Sequence, residues 1–239
     1  MSDYDVISKG VDCRMIKDNL LEILNDVSKS PNVKLIAVSK TYPAEAVLEA
    51  IDAGQLLFGE NRVQEAYSKF TDERVVAKNP ELHIIGHLQR NKARDAVRVA
   101  TMIQSIDKLE TLVEIEKQCA KQEKTIDYLI EINSSGEEQK SGVYPMEVDV
   151  FIKSVLEADL QHCNLRGVMT VGPLTENPDS IRESFRLVRG IFDKLKIQLG
   201  KTEFDVVSMG MSSDYRIAIE EGSTLVRVGS AIFGKRDYS

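Results

Sequence analysis

Short apolar runs recur along this chain, and after each the apolar residues shift to helical spacing. The runs fall at 34–38, 55–58, 81–85, 102–105, 127–132, 165–169, 204–208 and 224–228. Segments with a period near 3.6 fill the intervals: 44–53, 63–70, 91–100, 108–124, 146–157, 180–199 and 214–221. A further amphipathic helix, 11–29, precedes the first run and is stopped by Ser30, Pro31 and Asn32. Strands that alternate with helices pair in parallel through right-handed crossovers. Eight such units in 239 residues match the (β/α)8 TIM barrel, which takes about 250. The expectation is therefore an α/β chain with one barrel domain over residues 1–239 and an extra N-terminal helix. An open doubly wound sheet is the alternative. The polar loop 134–142, around Gly136, reads as a βα loop at the barrel mouth and not as a domain boundary.

Composition removes several function classes. A net charge of −7 without a concentrated Lys/Arg run is unsuited to a phosphate backbone, so no nucleic-acid partner is expected. The N-terminus lacks a signal-peptide pattern and no apolar run has membrane-span length, which points to a cytoplasmic protein with no membrane partner. Cys13, Cys119 and Cys163 are scattered and form no disulfide or metal-knuckle pattern. His83 and His87 stand four apart, a spacing a metal can use, but no third ligand accompanies them and no metal site is expected.

In a barrel, function gathers where strands end. Lys40 follows the first run directly. An apolar approach desolvates an amine, lowers its pKa and frees it to attack a carbonyl; the alternative is a lysine that snorkels to solvent. Barrels frequently hold phosphate in the loops after strands seven and eight. Here those loops are Ser208-Met209-Gly210-Met211-Ser212 and Gly229-Ser230. Glycine lets backbone N–H groups approach an anion, and the serines add donors. Arg227 ends the eighth run, where it either faces a ligand or pairs with a carboxylate such as Glu60. An amine, a phosphate cup and a group for a ring point to pyridoxal 5′-phosphate (PLP), or to a Schiff-base aldolase acting on a sugar phosphate.

A set of ordered motifs narrows this choice: LIAVSKTYP (35–43), FGENRVQEA (58–66), HIIGHLQRNK (83–92), KSG (140–142), LRGVMT (165–170), SMGMSSDYRIAIEEGST (208–224) and VRVGSAIFGKR (226–236). Together they make the chain resemble the PLP-binding, PLP-homeostasis proteins of the YggS/PROSC type from about residue 12 to 236. That family is similar in fold to the barrel domain of alanine racemase, PLP fold-type III. The resemblance implies PLP held as a Schiff base on Lys40. It implies Ser208, Ser212, Gly229 and Ser230 at or near the phosphate, Arg227 at the pyridine nitrogen, and Asn61 near the cofactor. Position 230 carries Ser where many members have Thr, and position 87 carries His where others have Pro.

The resemblance also implies a role in storing, delivering or buffering PLP, with little or no catalysis and with apo PLP-dependent enzymes as recipients. A cationic Arg227 disfavours protonation of the ring nitrogen and weakens the ring as an electron sink. Racemases of this fold add a second acid/base residue from another domain. This chain ends five residues past Gly234, so a two-base racemase is not expected and a monomer is. A weak racemase and a cofactor-free aldolase are the alternatives.

Overall fold

The structure, a computed structural model, describes residues 13–137 and 139–234; the side chain of Cys13 lies outside it. Eight parallel strands close into a barrel in sequence order, with β1 paired to β8. They are β1 (Lys34–Val38), β2 (Leu57–Glu60), β3 (Glu81–Ile84), β4 (Met102–Ile106), β5 (Ile126–Glu131), β6 (Cys163–Met169), β7 (Val206–Ser208) and β8 (Leu225–Val228). The helices are α1 (Cys13–Val27), α2 (Ala44–Asp52), α3 (Val63–Phe70), α4 (Glu73–Val76), α5 (Ala93–Val99), α6 (Leu109–Gln122), α7 (Val148–Glu157), α8 (Pro178–Leu199), α9 (Tyr215–Glu220) and α10 (Ser230–Phe233). Closure of the sheet decides between the two expected architectures in favour of the barrel. Among the described residues, no helix is long and apolar enough to cross a membrane.

Two boundaries moved for identifiable reasons. β2 was expected to stop before Gly59 but runs through it to Glu60. A Cβ at Gly59 would lie 2.7 Å from Ile36 Cγ2, so glycine here serves close packing inside the barrel and not chain reversal. α4, absent from the sequence reading, is a single turn. It forms because the Asp72 carboxylate caps the N–H of Arg74 at 2.9 Å.

Strand alternation sorts the core into two layers. Outward side chains join the helices in one continuous cluster that includes Leu35, Ala37, Phe58, Leu82, Ile84, Ile103, Ile130 and Val226. Inward side chains fill the barrel. Ile36, Val38 and Leu225 meet on one side, and Met102, Leu129 and Met169 on the other. His83, Gln104, Ser208 and Arg227 are also buried, and they make a polar column through the barrel interior.

α1 buries Ile16, Leu20, Ile23 and Val27, each burial contributing about 1.5–3 kcal/mol. Its polar residues reach the last βα units. Asn19 Nδ2 donates to the Ile232 carbonyl at 3.1 Å. Asp26 accepts from Tyr215 Oη and Arg216 Nε, both at 2.7 Å. These contacts hold its carboxyl well below the usual carboxylate range. The extra helix thus braces the two loops expected to form the phosphate cup.

Candidate functional site

The C-terminal mouth of the barrel holds a cavity of about 400 Å³, within the range of about 300–1,000 Å³ found for small-molecule sites. Lys40, Asn61, Ser212, Arg227, Gly229 and Ser230 all line it. They come from the ends of β1, β2, β7 and β8. Val38, Ile85 and Val171 add an apolar wall.

Lys40 is half-buried, and the backbone on either side of it is clamped from behind. Alternation turns Glu60 outward from β2, where it is fully buried. Its Oε1 accepts from Ser39 Oγ at 2.6 Å and lies 2.6 Å from Lys69 Nζ. Lys69 Nζ also donates to the Ser39 carbonyl at 2.8 Å and to Glu65 Oε1 at 3.1 Å. The N–H of Thr41 donates to the same Glu65 oxygen. Thr41 itself has φ 72°, a left-handed conformation unusual for a β-branched residue and one that surrounding contacts must enforce. The segment carrying Lys40 is therefore fixed from residue 39 to residue 41. The alternative pairing of Arg227 with Glu60 does not occur, because the two point to opposite faces of the sheet.

Arg227 points inward and is 4% exposed. Nη1 donates to Ser208 Oγ and Nη2 to the Thr170 carbonyl, both at 2.7 Å. Burial lowers its pKa to about 10, against the opposing pull of Asp214 and Glu131, so it remains a cation at neutral pH. Ser208, expected at or near the phosphate, is committed to two partners inside the barrel. It is fully buried, and its Oγ accepts from Arg227 while donating to Gln104 Oε1 at 2.7 Å. Period-two alternation along β7 turns it into the lumen beside Arg227, outside the lining of the cavity.

The two loops expected to form the cup bring Met211, Ser212, Ser213, Gly229 and Ser230 to the cavity wall. Ser212 Oγ accepts from the N–H of Gly229 at 3.1 Å and of Ala231 at 3.4 Å, which ties the two loops together. Gly210 has φ +95°, and a Cβ there would stand 2.5 Å from Ala218 Cβ; only glycine allows this turn to sit on α9. Among the described residues, no acceptor faces the backbone N–H groups of Ser212, Ser213 and Ser230. Since α9 and α10 have six and four residues, these N–H groups, and not a helix macrodipole, are what the cup presents to an anion.

The described residues of the loop 134–142 pack against Asn133 and Gly172. Asn133 Nδ2 donates to the Glu137 carbonyl at 2.9 Å, and Lys140 Nζ to the Gly172 carbonyl at 3.1 Å. Its described residues do not line the cavity. His83 and His87 do not converge: His83 is buried in the barrel and His87 is exposed. Among the described residues, no group of three or more metal-binding side chains forms. Cys119 and Cys163 are buried free thiols.

Sequence reasoning missed Lys69, Gln104 and Glu131. Glu131 is 7% exposed, with an Oε2 that has no hydrogen-bond partner. Burial, and then Asp107, push its carboxyl up to about 7, while Arg227 opposes the rise. The signal was present: within YLIEI, Glu131 is two residues from the inward Leu129 and must share its face.

The chain matches the family model described as alanine racemase, N-terminal domain, over residues 11–237. It is 41% identical over 207 residues to the pyridoxal phosphate homeostasis protein of Haemophilus influenzae, covering 87% of this chain and 86% of that protein. It is 38% identical over 229 residues to the Escherichia coli protein of the same name, covering 94% and 95%. Among solved structures it is similar to PipY of Synechococcus elongatus with PLP bound. That match has a TM-score of 0.82 and 32% identity, over 92% of this chain and 100% of that one. Alanine racemase from Streptomyces coelicolor shares the barrel at TM-score 0.78 and 16% identity, with 94% of this chain matching 59% of the enzyme.

Proposed function

Since this chain belongs to the alanine racemase N-terminal domain family and, within it, to the pyridoxal phosphate homeostasis proteins, we propose that it binds PLP at the C-terminal mouth and stores, delivers or buffers it. The observation that carries this reading is the juxtaposition, around one cavity, of Lys40 and the acceptor-free N–H groups of Ser212, Ser213 and Ser230. When bound, PLP supplies an aldehyde that joins an amine as a Schiff base and a ring able to withdraw electrons.

Each residue has a part in this reading. Lys40 provides the amine, presented by the Glu60–Lys69–Glu65 clamp behind it. The cup N–H groups and the Ser230 hydroxyl receive the phosphate. Val38 and Ile85 exclude water from the ring. Arg227, with two of its N–H groups committed to Ser208 and Thr170, lines the same cavity, and its cation beside the ring nitrogen would disfavour protonation of that atom. Asn61 stands at the edge of the same cavity.

The make-up of the cavity wall supports retention in place of turnover. Among its described lining residues, Lys40 and Arg227 are the ionisable side chains. Proton exchange at the α-carbon of an amino acid with inversion needs a second acid/base group on the opposite face, and none lines this cavity.

Visible absorbance that borohydride removes, present in the wild type and absent in Lys40→Ala, tests the Schiff base. A chain that takes up no PLP would sink the reading. In deuterated water, exchange of amino-acid α-protons at about 10 per second, an ordinary enzyme rate, would overturn retention. Delivery predicts that holo-protein loads an apo PLP-dependent enzyme faster than free PLP at matched concentration.

A further inference from the structure

At the end of the barrel opposite Lys40, the strand N-termini surround a second cavity, about 260 Å³. Its charged lining is Lys34, Glu81, Asp127, Arg166 and Asp205, with His83 also lining it. Three of these groups satisfy one another: Arg166 lies 2.6 Å from Asp127 and 3.0 Å from Asp205. Arg166 Nε also donates to the Glu203 carbonyl at 2.7 Å. Lys34 and Glu81 have no ion pair among the described residues.

His83 is the decisive group. It is 6% exposed and lines this cavity. Its Nδ1 lies 2.8 Å from Gln104 Nε2, and Gln104 Oε1 is already occupied by the Ser208 hydroxyl. In this amide orientation Gln104 Nε2 donates to Nδ1, which places the imidazole proton on Nε2. That N–H has no acceptor among the described residues. The hydrogen bonds run in one direction, from Arg227 to Ser208, to Gln104, to His83. A chain that starts at a buried cation and ends in an unfilled donor is polarised toward an acceptor. Burial, and then the Lys34 ammonium, oppose protonation of His83, so ammonium and imidazole N–H both call for an anionic oxygen.

A doubly charged anion is disfavoured by Glu81, Asp127 and Asp205 around it. A carboxylate that brings its own cation suits the site, with Glu81 left to receive that cation. We propose that this N-terminal mouth binds a small α-amino acid, its carboxylate on Lys34 and His83 Nε2 and its ammonium on Glu81. The relay through Gln104 and Ser208 reports its occupancy to Arg227. The binding site stands without the PLP reading; the report at Arg227 rests on it.

The test uses the full chain with ¹⁵N-labelled histidine. L-Alanine should move the His83 imidazole resonance saturably and leave His87 and His162 unmoved. The curve should be the same in Lys40→Ala, which separates this site from the PLP site. Lys34 and Glu81 are exposed, so Lys34→Ala and Glu81→Gln leave the barrel intact. Each should weaken L-alanine about three-fold or more, the scale of a surface ion pair. Glu81→Gln should leave propionate, which has no ammonium, unchanged. The site is refuted by no saturable shift up to about 10 mM, ten times a millimolar Kd. It is also refuted by equal movement of all three histidines, or by a Lys34→Ala curve identical to wild type. In the PLP-loaded chain, propionate (which cannot react with the aldehyde) should alter the visible absorbance in wild type but not in Gln104→Leu. Saturated binding with no spectral change overturns the relay and spares the site, and failure to load PLP counts against the function proposed above and not against the site.

Discussion

Glu131→Gln is the sharpest perturbation this barrel offers. The carboxyl is 7% exposed, faces Arg227 and Asp107, and has a pKa raised from 4.5 to about 7, first by burial. Below pH 4.5 it is protonated in both folded and unfolded chains and contributes no pH dependence. Between about 4.5 and 7 the folded chain keeps a proton that the unfolded chain has released, so stability falls as pH rises through this window. Above 7 both states are ionised and the whole penalty is present. At about 1.4 kcal/mol for each tenfold change in proton affinity, it amounts to about 3 kcal/mol. Glutamine keeps the shape and removes the charge. Urea unfolding at pH 5 and pH 8 should therefore show the variant ahead of wild type by about 1 kcal/mol or less at pH 5 and by about 3 kcal/mol at pH 8. An equal gap at the two pH values, or a wild type more stable at pH 8, would refute a protonated, desolvated Glu131.

Three further outcomes are expected. Lys69→Met strands the fully buried Glu60 and should cost about 3–5 kcal/mol by urea unfolding, most of it recovered when Glu60→Gln is added. Ser208→Ala leaves an Arg227 N–H and Gln104 Oε1 unpaired in the barrel, a loss of about 1–3 kcal/mol for such groups by thermal unfolding; PLP absorbance should shift in position while remaining. Gly210→Ala forces a left-handed residue to within 2.5 Å of Ala218 Cβ. It should weaken PLP retention and cost about 2 kcal/mol or more, measured by equilibrium dialysis and by unfolding.

The sequence by itself determined the architecture and most of the mouth. Hydrophobic period is a local property, so eight strands and their intervening helices could be counted from it, while element ends such as the starts of β2, β6 and β7, and the extra turn α4, differed. Lys40, Asn61, Ser212, Arg227, Gly229 and Ser230 were legible because a barrel brings every strand end to one face. Side-chain direction and partnership were decided only by the tertiary structure. Ser208 was correctly placed at a strand end, but alternation and closure turned it toward Arg227 and away from the cup. The Glu60–Lys69–Glu65 clamp joins β2 to α3, and the relay from His83 to Arg227 draws on β3, β4, β7 and β8. The i, i+4 spacing of Glu65 and Lys69 announces one link of the clamp, but the link to Glu60 and the relay have no such spacing. Their cause is desolvation: a buried polar group must find its partners wherever barrel closure puts them, and for Glu60 and Glu131 closure left one oxygen of each without a partner among the described residues.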